Sequence, residues 1–253
     1  GGWSKVSHAN QTSMWITTFV ALKLCRGNLI LQDPEIEAAI QRALEYVLST
    51  QEADGHWNDP EWSHLDTTCS VTCFLTIYQV THDRQSEERI NKARIGGFEF
   101  VKNWQQDSGL WKDNTFHPAG IETTAHLMQY TLVPAYFMDG IDYAEKLCMD
   151  VADSLAGEQA ANGSWDQENM DHTMDACRNL MLVADTFGKR EKFTPFIAKG
   201  VRWLIDEKND QGWGDFPEEP SNVERTADGL DTLLKFRRFC SGDPMSHFWA
   251  YSK

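Results

Sequence analysis

The sequence is short of positive charge. Its 253 residues carry 23 lysines and arginines against 38 aspartates and glutamates, for a formal net charge of −15. Nucleic acid and anionic membrane surfaces reward basic patches, so neither is an expected partner. No apolar run approaches the roughly 18 residues of a spanning helix, and no charged-then-apolar segment opens the chain, so no membrane span is expected. The six cysteines, at positions 25, 69, 73, 148, 177 and 240, include no C-x-x-C pair and no dense framework. Scattered thiols of this kind fit a reducing compartment, which makes cytoplasmic localisation the expectation. Strand signals are scarce as well. What remains is a chain with 41% hydrophobic residues, enough to bury a sizeable core in one large domain or two small ones.

What the chain does have is tryptophan, ten in all, and a repeat built on it. Residues 46–57 read as the last turns of a helix, a polar Asp-Gly break, and then Trp57. Tyr46, Val47, Gln51, Gly55 and Trp57 recur in the same spacing as Phe100, Val101, Gln105, Gly109 and Trp111. Leu155, Gln159, Gly163 and Trp165 repeat it again, and Trp203, Leu204, Gly212 and Trp213 give a copy one residue short between Gly and Trp. Gly1-Gly2-Trp3 reads either as the tail of one more or, in its glycine pair, as an expression scar. The successive tryptophans 3, 57, 111, 165 and 213 lie 54, 54, 54 and 48 residues apart, a period that marks a repeat architecture.

Each period holds two helical segments of different character. Those following the tryptophans, roughly 13–24, 66–79, 121–132, 171–185 and 224–238, are apolar or small on most faces, as a helix buried on most sides must be. The alternate segments, roughly 34–51, 87–105, 142–159 and 190–208, are amphipathic, with Asp33 and Pro34 supplying a cap and a first position for one of them. The expected fold class is all-α: five to six helical hairpins in an α/α toroid, with one helix set inside and the other outside. Residues 1–253 are expected to form a single domain. Residues 236–253, with Phe239, Phe248, Trp249 and Tyr251, are expected to cover a seam or an end.

The pattern aromatic–aliphatic–x3–Gln–x3–Gly–x–Trp resembles the QW repeat of triterpene cyclases. The chain looks like one α/α barrel of the squalene-hopene cyclase and class II terpene cyclase kind, a superfamily that also holds the β subunits of protein prenyltransferases. The resemblance implies fold far more than activity, since one fold hosts many reactions. Gln51, Gln105, Gln159 and the repeat tryptophans are staples between turns.

The chemistry implied by the resemblance is incomplete. Class II cyclases use the middle Asp of a D-x-D-D motif as the acid, which works only when that carboxyl is buried and hydrogen-bonded. The nearest match, Asp228-Gly229-Leu230-Asp231-Thr232, holds Leu230 in the catalytic slot. The zinc site of prenyltransferases needs Asp-x-Cys and a later His. Asp175-Ala176-Cys177 supplies the first part, but Arg225 or Thr226 stands where the His belongs. No two aspartates are adjacent, so no D-D-x-x-D motif is present to hold a diphosphate through Mg²⁺; only Arg178 and Arg225 look placed to meet a phosphate.

Counting from each tryptophan exposes a different constellation. His64, His117 and His172 lie seven, six and seven residues after Trp57, Trp111 and Trp165, and each precedes or opens a helix bearing Asp66, Glu122, or Asp171 with Asp175. Glu122 and His126 share a helical face. A carboxylate at a helix start also caps the backbone and complements its dipole, so a purely structural role is the competing reading. The functional expectation is a terpene-cyclase-like enzyme, a cyclase or isomerase (lyase class included), that acts by acid-initiated cyclisation or isomerisation of a small hydrophobic, isoprenoid-like substrate. Asp175 and Asp228 are the acid candidates, Glu122 and His126 a proton-relay pair, and Asp66 and Asp171 further candidates. Trp15, Phe19, Phe74, Tyr78 and Tyr130 are expected to line the cavity, because aromatic faces stabilise cations. This reading requires no cofactor. One alternative is a divalent metal, Zn or Fe, held by His64, His117, His126 and His172; another is a non-catalytic binding or scaffold barrel. A homodimer or a second barrel is the expected protein partner.

Overall fold

A computed structural model describes residues 2–4, 12–82, 87–112 and 120–243. Among the described residues ten α-helices follow one another: α1 (Met14–Leu31), α2 (Pro34–Ser49), α3 (His64–Thr81), α4 (Glu88–Asn103), α5 (Ile121–Leu127), α6 (Val133–Asp139), α7 (Tyr143–Gly157), α8 (Met170–Thr186), α9 (Arg190–Asp206) and α10 (Val223–Ser241). Among the described residues there are only two isolated β-bridges, Trp3 with Ser13 and Asn209 with Gly212. The contacts group into two compact units. The first comprises Gly1–Gln105 and Tyr130–Ala144, the second Gln106–Gln129 and Glu145–His247.

The two helix characters read from the sequence are both present. In the first unit α3 is buried on nearly every face, and α2 buries one stripe, Ile40, Ala43, Leu44 and Val47. In the second unit α8 is buried from Met170 to Ala184 except at the half-buried Asp171 and Arg178, and α9 presents Phe193, Ile197, Val201 and Leu204 on one side. Here α8 packs against α5, α9 and α10, while in the first unit α1 packs against α2 and α3.

Helix starts are fixed by short polar side chains, as the orphan amides of a first turn require. Ser13, Asp33, Ser63, Asn169 and Asn222 each accept from a first-turn amide of α1, α2, α3, α8 and α10. In the second unit these caps set the register at which α8 and α10 begin, and so the positions of Asp171, Asp175, Arg225 and Asp228.

The repeat works as a set of staples. Gln51 Nε2 donates to Gly55 O within its own turn and to Ala93 O of α4, both at 2.9 Å. Gln159 Nε2 does the same to Gly163 O and Phe196 O, again at 2.9 Å. Each of these glutamines thus ties its own turn to the following amphipathic helix. Each repeat glycine, Gly55, Gly109, Gly163 and Gly212, has a positive φ, which explains why glycine stands there. The indoles of Trp57, Trp165 and Trp213 are buried and donate to Val47 O, Leu155 O and Leu204 O at 2.7–2.8 Å. The backbone N–H of a repeat tryptophan also finds a threonine hydroxyl on the next helix: Trp3 with Thr17, Trp111 with Thr124, Trp165 with Thr173 and Trp213 with Thr226. Trp3 thus behaves as a repeat tryptophan.

Three expectations need correction. The segment 121–132 is not one α-helix: α5 passes into a π-helical turn, Met128–Leu132, and then α6. Pro134 explains this, because it has no N–H to continue an α-helical ladder, and the wider turn shifts the register just ahead of it. Residues 236–241 are the end of α10 and not part of a tail, while Phe248, Trp249 and Tyr251 lie outside the described residues. Finally, α1 does have the length and composition of a spanning helix, 18 residues at a hydropathy of 1.3. Within this fold it packs against α2 and α3, with Thr18 Oγ1 2.6 Å from Ser70 Oγ on α3, and about a third of it is buried.

Candidate active site

In the first unit, the expected site residues are tied into local structure. Asp66 sits in the first turn of α3, where its amide donates to Ser63 Oγ and its carboxylate accepts from the same hydroxyl, both at 3.0 Å. That is a reciprocal cap. The His64 ring stacks on His56 at 4.3 Å. Trp15 stacks between Trp62, at 4.5 Å, and Phe19, at 5.3 Å. Phe74 is fully buried, and Tyr78 is buried with its hydroxyl 2.8 Å from Gln41 Nε2 and its ring on His82. Tyr130 lies in the π-helical turn. His117 lies outside the described residues.

The second unit brings six expected residues together: Glu122, His126, Asp171, His172, Asp175 and Asp228. They come from the first two turns of α5, α8 and α10 and are joined by two arginines. Arg225 Nη1 is 3.0 Å from Asp171 Oδ2 and 3.6 Å from Asp228 Oδ2, and its Nε donates to Asp215 Oδ1 at 2.7 Å. Arg178 Nη2 donates to Asp175 Oδ1 at 2.6 Å, and its Nη1 to Asp228 Oδ1 at 3.0 Å. Asp228 therefore bridges the two guanidinium groups. On the α5 side, His126 Nε2 is 3.5 Å from Asp175 Oδ2, and His172 Nε2 is 3.3 Å from Glu122 Oε2. The Nδ1 of His172 is 2.6 Å from Asp166 Oδ2.

The cluster is graded from recessed to open. The side chains of Asp175 and Asp171 are 6% and 15% exposed, whereas those of Asp228 and His126 are 34% and 38% exposed. Burial, reinforced by the neighbouring Asp175 carboxylate and opposed by Arg225, pushes Asp171 up from the usual carboxylate range to about 6. Burial works against the His172 cation, but Glu122 and Asp166 outweigh it and raise the imidazole above its ordinary value. Both arginines are likewise held protonated by their carboxylates against the cost of burial. A carboxyl that releases its proton near 6 is populated in both forms around neutrality, the condition for an efficient proton donor or acceptor.

Asp166 and Asp215 were missed by the sequence reading. The signal was available, because each stands one or two residues after its repeat tryptophan, Trp165 or Trp213, as Asp59 does after Trp57. In the first unit Asp59 accepts from Ser13 Oγ and Trp15 N at 2.7 and 2.9 Å, which anchors the start of α1. In the second, Asp215 accepts from Met170 N through its carbonyl at 2.9 Å, anchoring the start of α8. Leu230, in the slot of a cyclase acid, is 54% exposed, while Gly229 packs on the Trp213 ring.

Among the described residues no three His, Cys, Asp or Glu side chains form a group that fits a metal ion. His126 and His172 face different carboxylates, and Cys177 is buried against Gly200 with its thiol pushed up to about 12. A depression of about 560 Å³ on α2, lined by Gln41, Arg42, Glu45, Tyr46 and Ser49, contains none of the expected site residues.

No protein family and no curated protein matches this sequence. Solved structures do match its fold. A possible member of the GH105 family from Salmonella enterica superposes with a TM-score of 0.67 at 13% identity, covering 93% of this chain and 74% of its own. A polysaccharide lyase gives 0.61 at 14% identity over 90% of this chain and 73% of that one. The type II terpene cyclase MstE from Scytonema, solved with geranylgeranyl dihydroxybenzoate, gives 0.56 at 15% identity over 92% and 66%. The fold is therefore all-α and of the α/α-toroid class that these proteins share. At such identities the likeness speaks for fold alone.

Proposed function

We propose that this chain is an acid–base enzyme whose reacting centre is the cluster at the starts of α5, α8 and α10. Asp171 is the proton donor, and its substrate is polar and rich in hydroxyl groups, of saccharide kind. The observation that carries this is the lattice itself: Asp171, Asp175, Asp215 and Asp228 held by Arg178 and Arg225, with the most reactive carboxyl recessed. A hydroxylated substrate replaces the hydration of these groups with hydrogen bonds of its own. An isoprenoid chain would strip that hydration and return nothing. The choice of substrate moves away from the isoprenoid first expected, and the likeness to a polysaccharide lyase and a possible GH105 member supports it. In this reading Asp171 gives its proton to the bridging oxygen as the glycosidic C–O bond breaks, Arg225 steadies the carboxylate left behind, and Asp175, clamped by Arg178, offsets positive charge on the sugar ring until a water adds to the ring carbon and returns a proton to Asp171.

The second reading is acid-initiated cyclisation or isomerisation of an isoprenoid. The likeness to MstE and the stacked Trp62, Trp15 and Phe19 favour it. One screen separates the two: 4-nitrophenyl glycosides with neutral and acidic oligosaccharides in one arm, geranylgeranyl-bearing aromatics in the other. The first reading expects turnover in the saccharide arm that falls by about 100-fold or more in Asp171→Asn while the fold is kept. Full turnover by Asp171→Asn would overturn it, and turnover confined to the isoprenoid arm would favour the second.

A further inference from the structure

His172 belongs to the cluster at the starts of α5, α8 and α10, but its pairing with Asp166 plays no part in the proton donation proposed above. Three features make it unusual. First, His172 is fixed at its backbone, where its amide donates to the Asn169 cap at 3.0 Å. Second, both ring nitrogens face carboxylates from different elements: Nδ1 is 2.6 Å from Asp166 in the turn before α8, and Nε2 is 3.3 Å from Glu122 on α5. Third, Asp166 opens a run of three successive non-glycine residues with positive φ, Asp166, Gln167 and Glu168, at 45°, 55° and 69°.

Left-handed backbone at three consecutive L-residues persists only where surrounding bonds over-determine it. The ties visible here are Asp166 to His172, Asn162 Nδ2 to Glu168 Oε1 at 2.7 Å, and Asn169 N to the carbonyls of Trp165 and Asp166 at 3.2 Å. Only the first of them changes with protonation of an imidazole.

We propose that Asp166 and His172 are a positioning pair that holds Glu122 against the start of α8 while His172 is protonated, and releases Glu122 when it is not. A neutral imidazole carries one N–H, so satisfying both carboxylates requires the imidazolium. When the ring gives up a proton, the shorter bond to Asp166 keeps the remaining N–H on Nδ1. Nε2 then presents a lone pair to the Glu122 carboxylate, and the two repel. Other charged groups lie on the same and the packed elements: Asp171 and Asp175 on α8, His126 on α5, Glu168 in the turn, and Arg225 and Asp228 on α10. Arg225 is committed to Asp171 and Asp215, and His126 faces Asp175, so Glu122 and Asp166 dominate the field at His172. The pair itself stands on geometry alone; its effect on turnover, by freeing Glu122 as a second proton acceptor, rests on the acid–base reading above.

The test uses the intact chain and no substrate. Ring ¹⁵N spectra of histidine-labelled protein are followed with pH in the wild type, Asp166→Asn and Glu122→Gln, with thermal melts to establish folding. The wild-type His172 midpoint is expected above that of free histidine, with the remaining proton on Nδ1 at high pH. Glu122→Gln is expected to lower the midpoint, and Asp166→Asn to lower it and invert the tautomer. Amide protection factors of residues 166–169 in the wild type should fall across the same midpoint. A His172 midpoint at the free value, one unmoved by Glu122→Gln, or protection of the turn that ignores it would overturn the proposal. Since none of these readings involves Asp171, the acid–base function can fail while the pair stands, and the reverse.

Discussion

Asp171 and Asp228 share one nitrogen of a single guanidinium: Arg225 Nη1 lies 3.0 Å from Asp171 and 3.6 Å from Asp228. Two carboxylates from different helices are thereby brought to a common cation, and burial of Asp171 raises its proton affinity. The result is a carboxyl poised near neutrality in a site that otherwise reads as a lattice of ion pairs.

Poising Asp171 costs stability, and the sign is definite. Its pKa in the folded chain, about 6, lies above the unfolded value of 3.8, so the folded state binds the proton more tightly. The stability it contributes is fully present below the unfolded value and is lost as pH rises from about 4 through about 6. Asp171→Asn should therefore unfold at a higher temperature than wild type at pH 8, by about 1–3 kcal/mol of stability, and match it near pH 4. Thermal melts of the two proteins across that range check this.

Gln159 bonds two carbonyls, Gly163 O in its own turn and Phe196 O on α9. Gln159→Ala should cost about 1–3 kcal/mol, read as a lower urea midpoint with unchanged slope. Gln51→Ala, which loses the bonds to Gly55 and Ala93, should cost a similar amount.

At Gly200 the close approach of α9 leaves no room for a side chain. An added Cβ would lie 2.6 Å from Cys177 Sγ and 2.8 Å from the Trp165 ring. Gly200→Ala should lose about 2 kcal/mol or more despite alanine's better helix propensity, because both neighbours are buried and neither can move aside freely. Gly157→Ala, where nothing lies within 4 Å, is the control and should be neutral or mildly stabilising.

The fold was legible in the sequence because Trp57, Trp111 and Trp165 stand at equal spacing and each is followed by a buried helix; the period survives any local ambiguity in propensity. The same ruler led to His172, Glu122, Asp171 and Asp175, which the structure gathers in the second unit. It could not separate them from Asp66 and His64, which occupy equivalent positions but serve the start of α3 and a stack on His56. Equivalent register does not mean equivalent neighbours. Asp166 and Asp215 escaped because a polar residue just after a tryptophan reads as ordinary loop, and their partners lie six and ten residues onward, across a turn. The π-helical turn was likewise hidden, although Pro134 marks its place. The polar character of the site follows from how Arg178 and Arg225 meet the carboxylates, a matter of side-chain reach that spacing does not encode.

The account depends above all on Asp171 keeping a proton into the neutral range. Carboxyl ¹³C NMR of aspartate-labelled protein, with Asp171 assigned by its loss in Asp171→Asn, measures this directly. The predicted midpoint is about 6, falling toward the ordinary carboxylate range in Asp175→Asn as the neighbouring charge is removed. A wild-type midpoint near the ordinary aspartate value of about 4 would contradict the account, since Asp171 would then be one more ion-paired carboxylate with no proton to give.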